Sequence, residues 1–86
     1  MDKVKKLEII EKFKQSEHDT GSAQVQVALL TERIKELTEH LKANHKDNHS
    51  RRGLSKLIGE RKAFLKYLEN RDINAYRQLK KELGIR

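Results

Sequence analysis

The sequence predicts an all-α protein of four helices, in which a long second and a long third helix fold back on each other as an antiparallel hairpin. A short N-terminal and a short C-terminal helix cover the apolar face of that hairpin. Three observations carry this reading. Proline is absent and only four glycines (Gly21, Gly53, Gly59, Gly84) interrupt 86 residues, so little in the chain breaks a helix. Apolar residues recur at steps of three and four in four separate stretches. No strand is expected anywhere in the chain from two-residue alternation. The length leaves room for one domain, residues 1–86, with one modest core.

The first helix is predicted near residues 3–15, where Val4, Leu7, Ile10 and Phe13, with Ile9 beside them, make one apolar stripe. The second, near 23–44, has the clearest pattern: Val27, Leu30, Ile34, Leu37 and Leu41 form a helix–helix seam of coiled-coil type. Ser22 can cap its start, although the strict capping box fails because Val25 stands where Glu or Gln belongs. The third, near 50–70, carries Leu54, Leu57, Ile58, Phe64, Leu65 and Leu68. Gly59 falls inside it at a cost of about 1 kcal/mol and predicts a close helix–helix approach. The fourth, near 73–83, carries Ile73, Tyr76, Leu79 and Leu83, with Asp72 to cap its start and Gly84 its end. Few residues separate the second and third helices, which predicts the hairpin.

Charge narrows the partners. The chain has a formal net charge of +7 and a pI near 9.8, which points to an anionic partner, most commonly nucleic acid. An anionic membrane surface fits less well, because no helix joins a basic face to a Trp/Phe-rich one. At 5% aromatic residues, a large aromatic-lined pocket is not expected. Without cysteine there are no disulfides and no thiolate metal sites. The start, MDKVKKLEII, lacks the pattern of a signal peptide, and no apolar run approaches the roughly 18 residues of a membrane span. A cytoplasmic protein is expected.

The hairpin sorts the polar residues into two clusters. The second helix is roughly 30 Å long at about 1.5 Å per residue, so the turn His18–Ser22 and the segment Lys46–Gly53 fall at opposite ends. The third helix returns Tyr67 and Arg71, one turn apart, to the neighbourhood of Thr20 and Gly21. Asp19-Thr20-Gly21-Ser22 is either simply a helix-start turn or a place where Gly21 lets the backbone approach a ribose or phosphate while Thr20 and Gln26 offer hydrogen bonds. Tyr67 is either a core residue with its hydroxyl at the rim or an RNA contact. Arg71 is a solvated charge, a partner for the last carbonyls of its helix, or a phosphate contact.

At the far end, His40, His45, Asp47, His49 and Ser50 mix with Lys46, Arg51 and Arg52. A metal site fits poorly: His40 and His45 are five apart, a bad ligand pair on a helix, and no further ligand set backs them. No nucleophile is placed with an orienting partner, so no enzymatic activity is expected. Asp47 or Ser50 can cap the third helix, and Asp47 can orient a histidine. The short polar side chains suit the shallow minor groove of A-form RNA. Lys56, Arg61, Lys62, Lys66 and Arg71 give the third helix a positive excess, with Glu60 and Glu69 as pairing partners. A helix-turn-helix DNA binder would pair shorter helices at a steep angle, and a helical protein–protein adaptor would lack affinity for RNA.

Together, the runs DTGSAQVQVALLTERI, KDNHSRRGL and YLENRD strongly resemble the bacterial small-subunit ribosomal protein fifteen family, over Ile10 to Arg86. The resemblance implies binding to small-subunit ribosomal RNA at a three-way junction and at a neighbouring minor groove holding a G·U/G·C element. It implies that Thr20, Gly21, Gln26 and Tyr67 grip the junction, with Ser22 and Arg71 beside them, and that His40, Asp47 and Ser50 read the minor groove. Phosphate contacts are expected from Lys46, His49, Arg51, Arg52 and Lys62. The implied partners are the rRNA, the sixth and eighteenth small-subunit proteins through RNA folding, and large-subunit rRNA at an inter-subunit bridge. Repression of its own messenger RNA is implied in some bacteria. A monomer when free, no membrane, no metal and no cofactor are expected. The chain departs from relatives in having Asn44 and Asn48 where histidines are usual, His45 where lysine is common, and Ala63 where a basic residue is common.

Overall fold

A computed structural model of the chain describes residues 3–13 and 22–85. Its elements are α1 (Lys3–Phe13), α2 (Ala23–Ala43), α3 (Asn48–Arg71) and α4 (Ile73–Leu83), and no strand occurs among the described residues. The predicted turn residues Thr20 and Gly21, and the end of the first helix past Phe13, lie outside the described residues.

Each boundary has a local cause. Ser22 caps α2, its side chain accepting from the Val25 N–H at 3.3 Å. Asn44 closes α2 by donating its backbone N–H to the His40 carbonyl at 3.0 Å. Asp47 caps α3, accepting from the Ser50 N–H at 3.1 Å, so α3 begins two residues before the expected position and Ser50 is helical. Asp72 ends α3 by donating its N–H to the Leu68 carbonyl at 2.7 Å and starts α4 by accepting from the Ala75 N–H at 3.1 Å. Gly84 takes the left-handed conformation (φ 66°) that terminates α4.

Helices α2 and α3 are joined by only four residues, 44–47, and pack antiparallel. Their cross-helix neighbours show the register: His40 with Ser50, Leu37 with Gly53, Thr31 with Arg61, and Ala23 with Tyr67. As one number rises the other falls in step, which excludes the steep crossing of a helix-turn-helix pair. Helix α1 also runs against α2, with Phe13 buried near the start of α2 and Lys5 paired with Glu32 further along. Helix α4 packs on α3 and touches α2.

The core lies at one end of the hairpin. Ala23, Val25 and Val27–Leu30 are buried on α2, Leu65 and Leu68 on α3, Phe13 on α1 and Leu79 on α4. Burial here runs almost around the whole circumference of α2, because α1, α3 and α4 converge on its first two turns. The rest of the seam (Ile34, Leu37, Leu41, Leu54, Leu57, Ile58) is only partly buried. No polar or charged residue is buried among the described residues.

Two expectations need correction. The stripe on α1 is split: Ile9, Ile10 and Phe13 pack inward, while Val4 and Leu7 stay 65% and 56% exposed. Lys5 shares the inward face with Ile9 and Phe13 and meets the carboxylates of Glu32 and Glu36 on α2. Gly59 marks no close approach either. It faces solvent, and a Cβ built on it meets nothing within 4 Å. The glycine that faces the partner helix is Gly53, whose Cβ would lie 3.8 Å from Leu37. Gly59→Ala is therefore expected to stabilise the fold by about 1 kcal/mol. The midpoint of thermal unfolding should rise by roughly 4–8 °C. An unchanged or lower midpoint would show that Gly59 serves the free protein in some other way.

Candidate nucleic-acid interface

At the turn end of the hairpin, one carboxylate organises the local chemistry. Oδ1 of Asp47 accepts the Ser50 N–H at 3.1 Å, and Oδ2 accepts the Ser50 hydroxyl at 2.6 Å. His40 reaches the same Oδ2 through Nε2 at 3.0 Å. An ionised carboxylate only accepts, so His40 carries a hydrogen on Nε2. Asn44 completes the arrangement, its side-chain amide donating to the His40 carbonyl at 3.0 Å and lying 3.5 Å from His40 Nδ1. His40 on α2 and Ser50 on α3 meet at Asp47 because α2 ends and α3 begins within four residues.

These donors hold the Asp47 carboxyl well below the usual carboxylate range; the Ser50 hydroxyl contributes most, then the His40 side chain, then the Ser50 N–H. A carboxylate has about four acceptor positions, and three are filled. The remaining one belongs to Oδ1, on a partly exposed side chain beside Ser50. Such a group accepts from a ribose 2′-hydroxyl or from the guanine amino group, the donor that marks G·C-type pairs in a minor groove. Among the described residues, no group of three or more His, Asp or Glu side chains is placed to hold a metal ion.

Around this cluster, Arg51 donates to the His45 carbonyl and so ties down the turn. Lys46, His49 and Arg52 are exposed beside it, and Lys62 is exposed further along α3.

At the opposite end, Ser22, Ala23, Ala63, Phe64 and Tyr67 line an open cleft of about 460 Å³. Tyr67 is 52% exposed, which removes the core reading of this residue. Arg71 lies one turn on, donating from Nη1 to the Tyr67 hydroxyl oxygen at 2.7 Å with its guanidinium 5.6 Å from the ring centre. Ser22 and Tyr67 thus line one cleft, while the expected neighbours Thr20 and Gly21 lie outside the described residues. Gln26 follows one turn after Ser22, its N–H bonded to the Ser22 carbonyl at 2.9 Å. Its side chain lines a separate cleft between α1 and α2 with Lys6, Ile10, Leu29, Leu30 and Arg33.

The sequence reading passed over Lys6 and Arg33, two cations flanking Gln26, because only the docking of α1 brings Lys6 there. Asn44 had a detectable signal: it stands four residues after His40, on the same helical face.

The Asp47 shift also links the cluster to stability. Its folded pKa lies below its unfolded value of 3.8, so the contribution is present above that value and is lost as pH falls below about 4. Thermal melts from pH 7 down to pH 3 should show wild type losing stability more steeply than Asp47→Asn below about pH 4. Parallel curves would show that the carboxylate ties add nothing to the fold.

Comparison with known proteins now adds to this geometry. The family model described as ribosomal protein S15 matches residues 6–86. The chain is 59% identical over its full 86 residues to the small ribosomal subunit protein uS15 of Caldanaerobacter subterraneus subsp. tengcongensis, covering 98% of that protein. It is 58% identical over 86 residues to that of Heliobacterium modesticaldum, covering 97% of it. To that of Dictyoglomus thermophilum it is 58% identical over 84 residues, 98% of this chain and 94% of the relative. A basic four-helix chain with this match along almost its whole length belongs to the ribosomal protein S15 family, and is a structural, non-enzymatic component of the small ribosomal subunit that associates with its rRNA.

Proposed function

We propose that the chain acts as one RNA-binding domain that grips small-subunit rRNA at two places. The Ser22–Tyr67 end, with Thr20, Gly21, Gln26 and Arg71, holds a three-way junction. The His40–Asp47–Ser50 cluster reads an adjacent minor-groove element. The observation that carries this reading is the pair of polar constellations at opposite ends of one antiparallel hairpin, the far one organised around a fixed acceptor.

A free junction samples several arrangements of its arms. A protein that contacts two spots a fixed distance apart binds best the arrangement that presents both, and shifts the population toward it. Stacking of two arms into one coaxial helix satisfies that demand. Later small-subunit proteins, the sixth and eighteenth, then meet a site already formed. Exposed cations (Lys46, Arg52, Lys62) supply sequence-independent affinity, while junction shape and the minor-groove acceptor supply specificity. A messenger RNA folded into the same pair of features would be held in the same way, which is a physical route to repression of its own message.

Nuclease footprinting on small-subunit rRNA tests the two-place grip directly, with protection expected at a junction and at one neighbouring minor groove. Tyr67→Ala and Asp47→Ala are each expected to weaken specific binding by about 1–3 kcal/mol. Binding to unrelated RNA should stay nearly unchanged. Retention of full specific affinity by a folded Asp47→Ala protein would remove the minor-groove assignment, and the same result for Tyr67→Ala would remove the junction assignment.

A further inference from the structure

The contact between Arg71 and Tyr67 gives the basic residue a different task from the rest of the positive surface. Arg71 is the last residue of α3, and its backbone is fixed by Asp72, which closes α3 on Leu68 and opens α4 on Ala75. From that corner its side chain reaches back one turn, donates to the Tyr67 hydroxyl oxygen at 2.7 Å and sits 5.6 Å from the ring centre. A guanidinium has donors only, so the phenol oxygen accepts. The phenol's own hydrogen is left over, and among the described residues no acceptor takes it up. Since a guanidinium cannot accept it, that hydrogen is available to a partner other than Arg71, on a side chain that is 52% exposed beside the Ser22–Phe64 cleft. An oxygen that already accepts from a cation is polarised into a better donor.

We propose that Arg71 is a positioning residue for Tyr67, fixing the tyrosine hydroxyl as a one-way hydrogen-bond donor toward an acceptor atom of the bound RNA (a ribose, phosphate or base-edge oxygen or nitrogen). Arg71 then acts through Tyr67 and not as a phosphate-tracking cation. The inference rests on the junction reading of the Tyr67 end and adds the direction of the hydrogen bond. It also separates Arg71 from Lys46, Arg52 and Lys62, for which, among the described residues, no hydrogen bond or ion pair fixes the charged group.

A double-mutant cycle on a three-way-junction fragment of small-subunit rRNA tests it, with affinity measured at several salt concentrations. The proteins are wild type, Tyr67→Phe, Arg71→Met and the double variant, their folding checked by circular dichroism. Each single change should weaken binding about tenfold. The double variant should bind no more weakly than the weaker single one, and the slope of log affinity against log salt should not change. If Arg71→Met costs the same factor in the Tyr67→Phe background and the slope falls by about 0.7–0.9, Arg71 touches a phosphate directly and the proposal is overturned. If Tyr67→Phe binds like wild type, the hydroxyl is idle and the proposal also fails. Tyr67→Ala then separates the two readings: weak binding keeps the junction assignment through ring stacking, and full binding removes that assignment as well.

Discussion

The four-residue connection between α2 and α3 is the constraint on which the rest of the structure depends. Asn44 shuts α2 on the His40 carbonyl, and three residues later Asp47 opens α3 through the Ser50 N–H. The same Asp47 carboxylate binds the His40 ring and the Ser50 hydroxyl. One short turn therefore sets the register of the hairpin and assembles the polar cluster in a single act. Two stiff helices carry that register along their length, so that Ala23 and Tyr67 meet at the other end. A slip of one residue would rotate every side chain on α3 by about 100° and scatter both clusters.

Apolar burial is uneven along this rod. With hydrophobic residues at 35%, the chain lacks the apolar surface to bury both ends. It concentrates Phe13, Val25, Val27, Leu29, Leu30, Leu65, Leu68 and Leu79 where four helices converge. Burial of each such side chain contributes about 1.5–3 kcal/mol relative to exposure. The turn end has only two helices and a half-exposed seam. There, order comes from caps and from hydrogen bonds to Asp47, and those polar groups remain at the surface where a ligand can reach them.

The charge count is likewise redistributed by the fold. A net +7 suggests a uniform cationic coat, yet several cations are committed within the protein. Lys5 pairs with Glu32, Arg51 holds the His45 carbonyl, and Arg71 holds the Tyr67 hydroxyl. The remaining exposed lysines and arginines carry the positive charge at the surface.

Most of the architecture was legible in the sequence because helices obey local rules. Spacing of three and four, the absence of proline, Ser22 and Asp72 as caps and Gly84 as a stop all act within one or two turns, and a short connection between two long helices leaves only the antiparallel arrangement. Family motifs around Thr20 and Asp47 pointed to RNA, although Thr20 and Gly21 lie outside the described residues. What the tertiary structure decided was every matter of facing. Val4 and Leu7 read as part of the α1 stripe, but α1 packs through Ile9, Ile10 and Phe13 and leaves them exposed. Gly59 read as a contact point, but the contact fell at Gly53. Tyr67 read equally as core or surface until its exposure and its bond to Arg71 placed it at the rim. Periodicity identifies which residues share a helical face; only the packed neighbours determine where that face points.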